Sequence, residues 1–211
     1  MIGHRHSLCL ALRGDPGVAR GRTNEAAAFP RQICYSHPNT NVMKPPIPLN
    51  EHARLELLRQ YDVLDTAAEP AFDEITARAA EICQTPISLL TFVDRDRAWF
   101  KSNTGLDLRE VPRDRSFCAH AICQDQPYVI PDLLADERFS HNPLVNQKPH
   151  LRSYAGMPLI SPEGLALGTL CVIDRKPREL TAEQMDQLKE LAKGAVLLLE
   201  IRRAGGRPPR A

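Results

Sequence analysis

Residues 152–199 constrain the fold of this chain more than any other stretch: RSYAGMPLISPEGLALGTLCVIDRKPRELTAEQMDQLKELAKGAVLLL. Two apolar runs, residues 153–160 and 165–173, flank the turn-forming Ser-Pro-Glu-Gly of residues 161–164, which predicts a β-hairpin. Thr181 then stands three residues before Gln184, the spacing of a capping box. Behind that box Met185, Leu188, Leu191, Ala192, Ala195, Val196 and Leu199 repeat on one helical face. A hairpin followed by an amphipathic helix buries its apolar faces by packing helix on antiparallel sheet, so the expected fold class is α+β.

The upstream chain supplies more of the same material. Asn50 is placed to cap a helix through Tyr61, with Leu55, Leu57 and Leu58 on its apolar side. Thr66 and Glu69 have capping-box spacing. Phe72, Ile75, Ala79 and Ile82 predict a second helix over 67–83, ended by Pro86. The run ISLLTFV, residues 87–93, is apolar without alternation, as in a strand covered on both faces. A charged turn, residues 94–97, leads to a more polar strand, 98–103, expected at the sheet edge. In that strand one of Trp99 and Phe100 should face the core and the other solvent or a partner. Residues 105–115 are expected as loop. Ser116 is expected to cap a short helix over 117–123, followed by a strand at 128–130 and an irregular segment, 132–151, in which Asp132 caps one turn.

Residues 1–49 differ from the rest. They are arginine-rich, acid-poor and without apolar periodicity, so they are expected to be disordered. Met43 offers an alternative translation start, and residues 205–211 are expected to be a flexible tail. The net charge of +1 gives no basic stripe for nucleic acid and no polybasic membrane patch. No apolar run approaches the roughly 20 residues that span a bilayer. The six cysteines show no CxxC spacing, which reads as reduced thiols of a cytoplasmic protein.

Five segments, in order, carry a family resemblance: LLTFVDRDRAWFKSNTGL, RSFCAHAI, DLLADERFSHNPLV, YAGMPLI and LGTLCVIDRKPREL. Over residues 50–200 the chain resembles GAF domains, as found N-terminal to bacterial histidine kinases and diguanylate cyclases. The resemblance implies a six-stranded antiparallel GAF/PAS-like sheet. One face would carry a pocket roofed by residues 116–123 and 132–151. The other would carry the terminal helices, which would mediate a homodimer. It implies a non-catalytic regulatory module that binds an unidentified small ligand and signals to a protein partner, as in two-component systems. No output domain is recognisable in the sequence, so the signal is expected to leave through contacts.

On that mapping, Phe117, Cys118, His120 and Ala121 of the short helix are candidate ligand contacts. Asp132 and Phe139 of the roof, with Arg152 and Tyr154 of the hairpin, complete the set. Residues two apart on a helix point about 200° apart, so Cys118 should face with Ile122 while His120 looks elsewhere. That argues against a thiol–imidazole pair and against a metal site. An alanine separates Cys118 from His120, unlike the adjacent pair of bilin-binding relatives. Another branch of the family reduces free methionine sulfoxide; Cys118, Cys123 and Cys171 could supply its thiols in principle. Cys171, between Leu170 and Val172, reads instead as a small core hydrophobe. Arg152 offers a donor fork for a carboxylate or phosphate, and its plainer reading is an ion pair with Asp132 or Asp136. A ligand-free interaction domain is the remaining alternative. No cofactor is named by any motif.

Overall fold

A computed structural model describes residues 43–205. The expectations for residues 1–42 and 206–211 lie outside the described residues. Residues 43–48 carry no regular secondary structure. Helices α1 (Glu51–Gln60) and α2 (Pro70–Cys83) precede strands β1 (Ile87–Val93), β2 (Arg97–Thr104) and β3 (Glu110–Pro112). Helix α3 (Phe117–Ala121), strand β4 (Tyr128–Ile130) and helix α4 (Pro143–Asn146) follow. Strands β5 (Ser153–Ile160) and β6 (Ala166–Asp174) then lead into helix α5 (Ala182–Arg203). The strands form one antiparallel sheet in the order β3-β2-β1-β6-β5-β4.

The two central strands, β1 and β6, are buried along nearly their whole length. Alternation along them sends side chains to two cores. On one face Leu90, Phe92, Met157, Leu170 and Val172 meet Phe72, Ile75 and Ala79 of α2 and Leu188, Ala192 and Leu199 of α5. On the other, Leu89, Val93, Phe100, Cys171 and Ile173 meet Phe117, Cys118, Leu133 and Phe139. The sheet is thus a wall between a helical layer and an irregular roof. Gly168 permits the close approach of its two middle strands: a Cβ there would stand 1.9 Å from the Thr91 carbonyl oxygen.

Several local expectations needed tertiary correction. Strand β2 is not an edge strand, because β3 pairs with it through Ala98↔Val111. Strand β3 lies in the segment expected as loop; three residues carry no periodicity of their own. Trp99 and Phe100 are both buried, on opposite faces of the sheet, since the roof covers the side expected to meet solvent. The Thr66–Glu69 capping box does not form. Glu69 caps no backbone N–H and instead accepts from Lys101 at 2.5 Å and Arg202 at 2.7 Å. The Thr181–Gln184 box forms with both reciprocal bonds. Asn50 and Ser116 precede their helices without a side-chain cap bond. Helix α3 ends at Ala121, two residues short of the expected boundary.

A charged cluster ties α1 to the sheet. Arg54 is fully buried; it donates to the Val93 carbonyl at 2.6 Å and to Glu51 at 2.8 Å. Burial alone would raise the Glu51 carboxyl, but hydrogen bonds from Arg54 and Arg113 overcome it and bring it down to about 2. Among the described residues no helix is long and apolar enough to cross a membrane.

Candidate functional site

The roof is built from α3, α4 and the turns between them. Asn142 Nδ2 donates to the Arg115 carbonyl at 2.9 Å, joining the two ends of the roof, while its Oδ1 caps Leu144 N–H at 2.9 Å. The Leu133 N–H reaches the Arg152 carbonyl at 2.7 Å and anchors the roof to the start of β5. Helix α4 is a single turn started by Asn142 and Pro143, too short to carry a periodic signal.

Beneath the roof lies an aromatic layer. Phe117 meets Phe139 edge-on, with ring centres 5.2 Å apart, and tilts against Tyr154 at 5.5 Å. His120 stands edge-on to Phe139 at 4.9 Å and parallel to Tyr128 at 6.4 Å. Arg138, held by Asp136, covers the rings of Tyr128 and Phe139 at 5.4 and 5.3 Å. Cation and rings at these distances attract through the ring quadrupole. The candidate residues Phe117, Cys118, His120, Phe139 and Tyr154 therefore do come together, and the roof is seated directly on the sheet. Ala121 is fully buried within α3.

Below the rings is a small polar centre. The Tyr154 hydroxyl donates to Cys118 Sγ at 3.5 Å, and Cys118 Sγ lies 4.0 Å from Cys171 Sγ. The Thr91 and Thr169 residues, register partners on β1 and β6, bring their hydroxyls to the same spot. Both hydroxyl oxygens are buried without a hydrogen-bond partner. The Cys171 thiol is the largest influence holding Cys118 below the ordinary thiol range. Thr169, Tyr154 and Thr91 add to it, and together they outweigh burial. Burial, and Cys118 itself, push Cys171 the other way. Sequence reasoning placed Cys171 among core hydrophobes; it is fully buried, with its sulfur turned toward Cys118. It missed Thr91 and Thr169, whose one legible signal was a hydroxyl inside each of two mainly apolar central strands.

Cys118 and Ile122 are buried in the same cluster, as helical spacing predicts, while the contacts of His120 lie with the aromatic layer and the backbone of Met43. Burial pushes the His120 imidazole down to about 4, and the nearby Arg138 charge adds to the effect. A histidine whose folded value lies below its unfolded one binds its proton more readily when unfolded. Its contribution to stability is therefore complete above about 6.5 and is lost progressively as pH falls toward about 4. His120→Gln is expected to flatten the fall in stability across that window, as read by urea denaturation at a series of pH values. An unchanged slope would remove His120 from the acid response.

Arg152 and Asp132 sit apart from this centre. Arg152 Nε and Nη2 donate to the two carboxylate oxygens of Asp132 at 3.0 and 2.8 Å. Those bonds hold the Asp132 carboxyl below the usual range. The donor fork of Arg152 is thus occupied by an ion pair at the roof margin. An open concavity of about 530 Å³ lies elsewhere, between Arg78 and Ile82 of α2 and Asp186 and Leu191 of α5.

A six-stranded antiparallel sheet with helices on one face and a seated roof on the other defines a sensor-type α+β domain. The chain belongs to the GAF domain family, whose model matches residues 67–197. It is 46% identical over 140 residues to a cyclic di-GMP phosphodiesterase of Pseudomonas aeruginosa. That match covers 66% of this chain and spans 24% of the relative's length. The fold is similar to the GAF domain of an Acinetobacter phosphoenolpyruvate-protein phosphotransferase. That likeness has a TM-score of 0.56 and 14% identity, and covers 74% of this chain and 98% of that one. The blue-light absorbing PixJ GAF domain of Thermosynechococcus elongatus gives a TM-score of 0.53 at 16% identity, covering 76% of this chain and 94% of that one.

Proposed function

We propose that this GAF domain is a non-catalytic input module in bacterial signalling that responds to a small ligand held between sheet and roof. The observation that carries the reading is the pair of buried, unpartnered hydroxyls of Thr91 and Thr169 beneath α3. Buried polar groups are ordinarily satisfied, and an orphaned pair on the roofed face offers hydrogen bonds that an incoming polar group would complete. Phe117, Cys118, His120, Ala121, Phe139 and Tyr154 would surround such a ligand. Opening of the Asp132–Arg152 pair would release the donor fork toward an acidic substituent. Similarity to a cyclic di-GMP phosphodiesterase supports a role in regulating second-messenger turnover through a protein partner in the cytoplasm.

The signal would pass to the helical layer. Leu197 is 61% exposed on α5, and the position of Gly194 beside it opens into free space. These residues suit a homodimer through the terminal helices. A ligand that favours one helix arrangement must bind that arrangement more tightly than the other.

A second reading has support of its own. Phe117, Phe139 and Tyr154 already fill the space under the roof, as a ligand-free interaction domain would require. Native mass spectrometry of protein taken from its source, paired with hydrogen exchange, separates the two. Retained ligand that slows exchange over residues 117–151 supports sensing. A ligand-free dimer whose roof is already fully protected would favour the interaction domain and sink the sensing proposal.

A further inference from the structure

The paired thiols under α3 carry an inference that needs no ligand. Cys118 is on the roof helix and Cys171 is on a central strand, 53 residues later in the chain. Their sulfurs are 4.0 Å apart, so the two side chains must swing toward each other to reach a bond of about 2 Å. We propose that Cys118 and Cys171 form a hydroperoxide-responsive dithiol site that closes into a disulfide between roof and sheet.

Two features separate this pair from inert buried cysteines. Cys83, buried among the side chains of the helical face, is pushed by burial up to about 11. Cys118 is just as deeply buried, yet its surroundings are donors: the hydroxyl of Tyr154 at 3.5 Å and those of Thr91 and Thr169. The threonine hydroxyls act on the charge of Cys118 but have no acceptor while the thiol is neutral. Ionisation of Cys118 gives them one, because a thiolate is a far better acceptor than a thiol. The orphaned hydroxyls are thus complementary to the thiolate, the form that attacks. Cys171 shares the Thr169 hydroxyl, but burial and Cys118 push it up, so it keeps its proton while Cys118 is the thiolate, and gives that proton up only in the second step.

The chemistry balances with hydrogen peroxide as oxidant. The Cys118 thiolate attacks one peroxide oxygen, the O–O bond breaks, and hydroxide leaves and takes up the proton that Cys118 released, forming water. Cys118 is then a sulfenic acid. Cys171 sulfur attacks Cys118 sulfur, the S–O bond breaks, and the departing hydroxide combines with the Cys171 proton as a second water. Two thiols have lost two electrons to the peroxide. Both sulfurs are buried, so the oxidant enters when the roof lifts, and the disulfide then pins α3 to β6.

The full chain treated with hydrogen peroxide, alkylated and digested without reductant tests this directly. The expected result is a joined peptide pair containing Cys118 and Cys171, with the loss of two free thiols, reversed by dithiothreitol. Hydrogen exchange over residues 117–123 should slow in the oxidised form. Cys171→Ser should leave Cys118 as a sulfenic acid trapped by dimedone, and Cys123→Ser should leave the cross-link unchanged. The proposal is overturned if the untouched chain oxidises at the exposed Cys123 while Cys118 and Cys171 remain alkylatable after unfolding. Linkage of either residue to a different cysteine would overturn it equally. The decisive measurement uses the native sequence, so a poorly folding variant does not blunt it.

Discussion

Glu69→Ala is expected to destabilise the domain by about 3–5 kcal/mol, the range for leaving a buried charge without its partner. The Lys101 side chain is completely buried, with Nζ bonded to Glu69 at 2.5 Å, to the Ala67 carbonyl at 2.7 Å and to Thr66 at 2.8 Å. Glu69 is its only carboxylate among those contacts. Burial already pulls the Lys101 ammonium below its ordinary range, against the opposing pull of Glu69. Removing Glu69 also takes from Arg202 of α5 its bond to the same oxygen at 2.7 Å, leaving it only the carbonyls of Tyr61 and Asp62 among its hydrogen-bond acceptors there. The C-terminal turns of α5 should therefore lose hydrogen-exchange protection before the sheet does. Replacing both residues, Lys101→Met with Glu69→Leu, should recover much of the loss, because no unpaired charge then remains buried. Chemical denaturation of the two single variants and the double variant measures this. Additive losses would show that the two residues act separately.

Phe117→Ala should cost a similar amount, about 3–5 kcal/mol, through lost burial and the cavity left behind. Phe117 is 4% exposed, with Phe139 edge-on and Tyr154 tilted against its ring. The aromatic layer lies between the roof and β5, so it supplies part of the roof's attachment to the sheet. The substitution should loosen residues 117–151 in preference to the helical layer, seen as faster exchange confined to the roof. A uniform loss across both layers would show instead that roof and helices unfold as one unit.

How far the sequence could be read depended on the distance between interacting residues. The Thr181–Gln184 box was legible because both reciprocal bonds close within three residues, at 3.2 and 3.0 Å. The Thr66–Glu69 pair had the same spacing and failed. Lys101, 32 residues away, and Arg202, 133 residues away, compete for the same carboxylate. The apolar run of β1 correctly announced a strand covered on both faces. Strand β3 and helix α4 were invisible, because three or four residues are too few to show a period. Arg152 and Asp132 were expected among the ligand contacts, with an ion pair to Asp132 or Asp136 as the plainer reading, and the structure shows the pair with Asp132.

The candidate site divided along the same line. Cys118, His120, Phe117 and Ala121 belong to one short helix, so their grouping followed from neighbouring positions in the chain. Their partners Thr91, Tyr154, Thr169 and Cys171 come from three different strands. The sequence alone determined the α+β class, the hairpin, and the α5 helix with its cap. These rest on periodicity and capping, which act within a few residues. Only the tertiary structure decided that two threonine hydroxyls are stranded beside a thiol, that Cys171 faces Cys118, and that Glu69 serves the core rather than its own helix. Those outcomes come from sheet register and from the competition of distant charges for one buried oxygen, and neither is written in any local stretch of the chain.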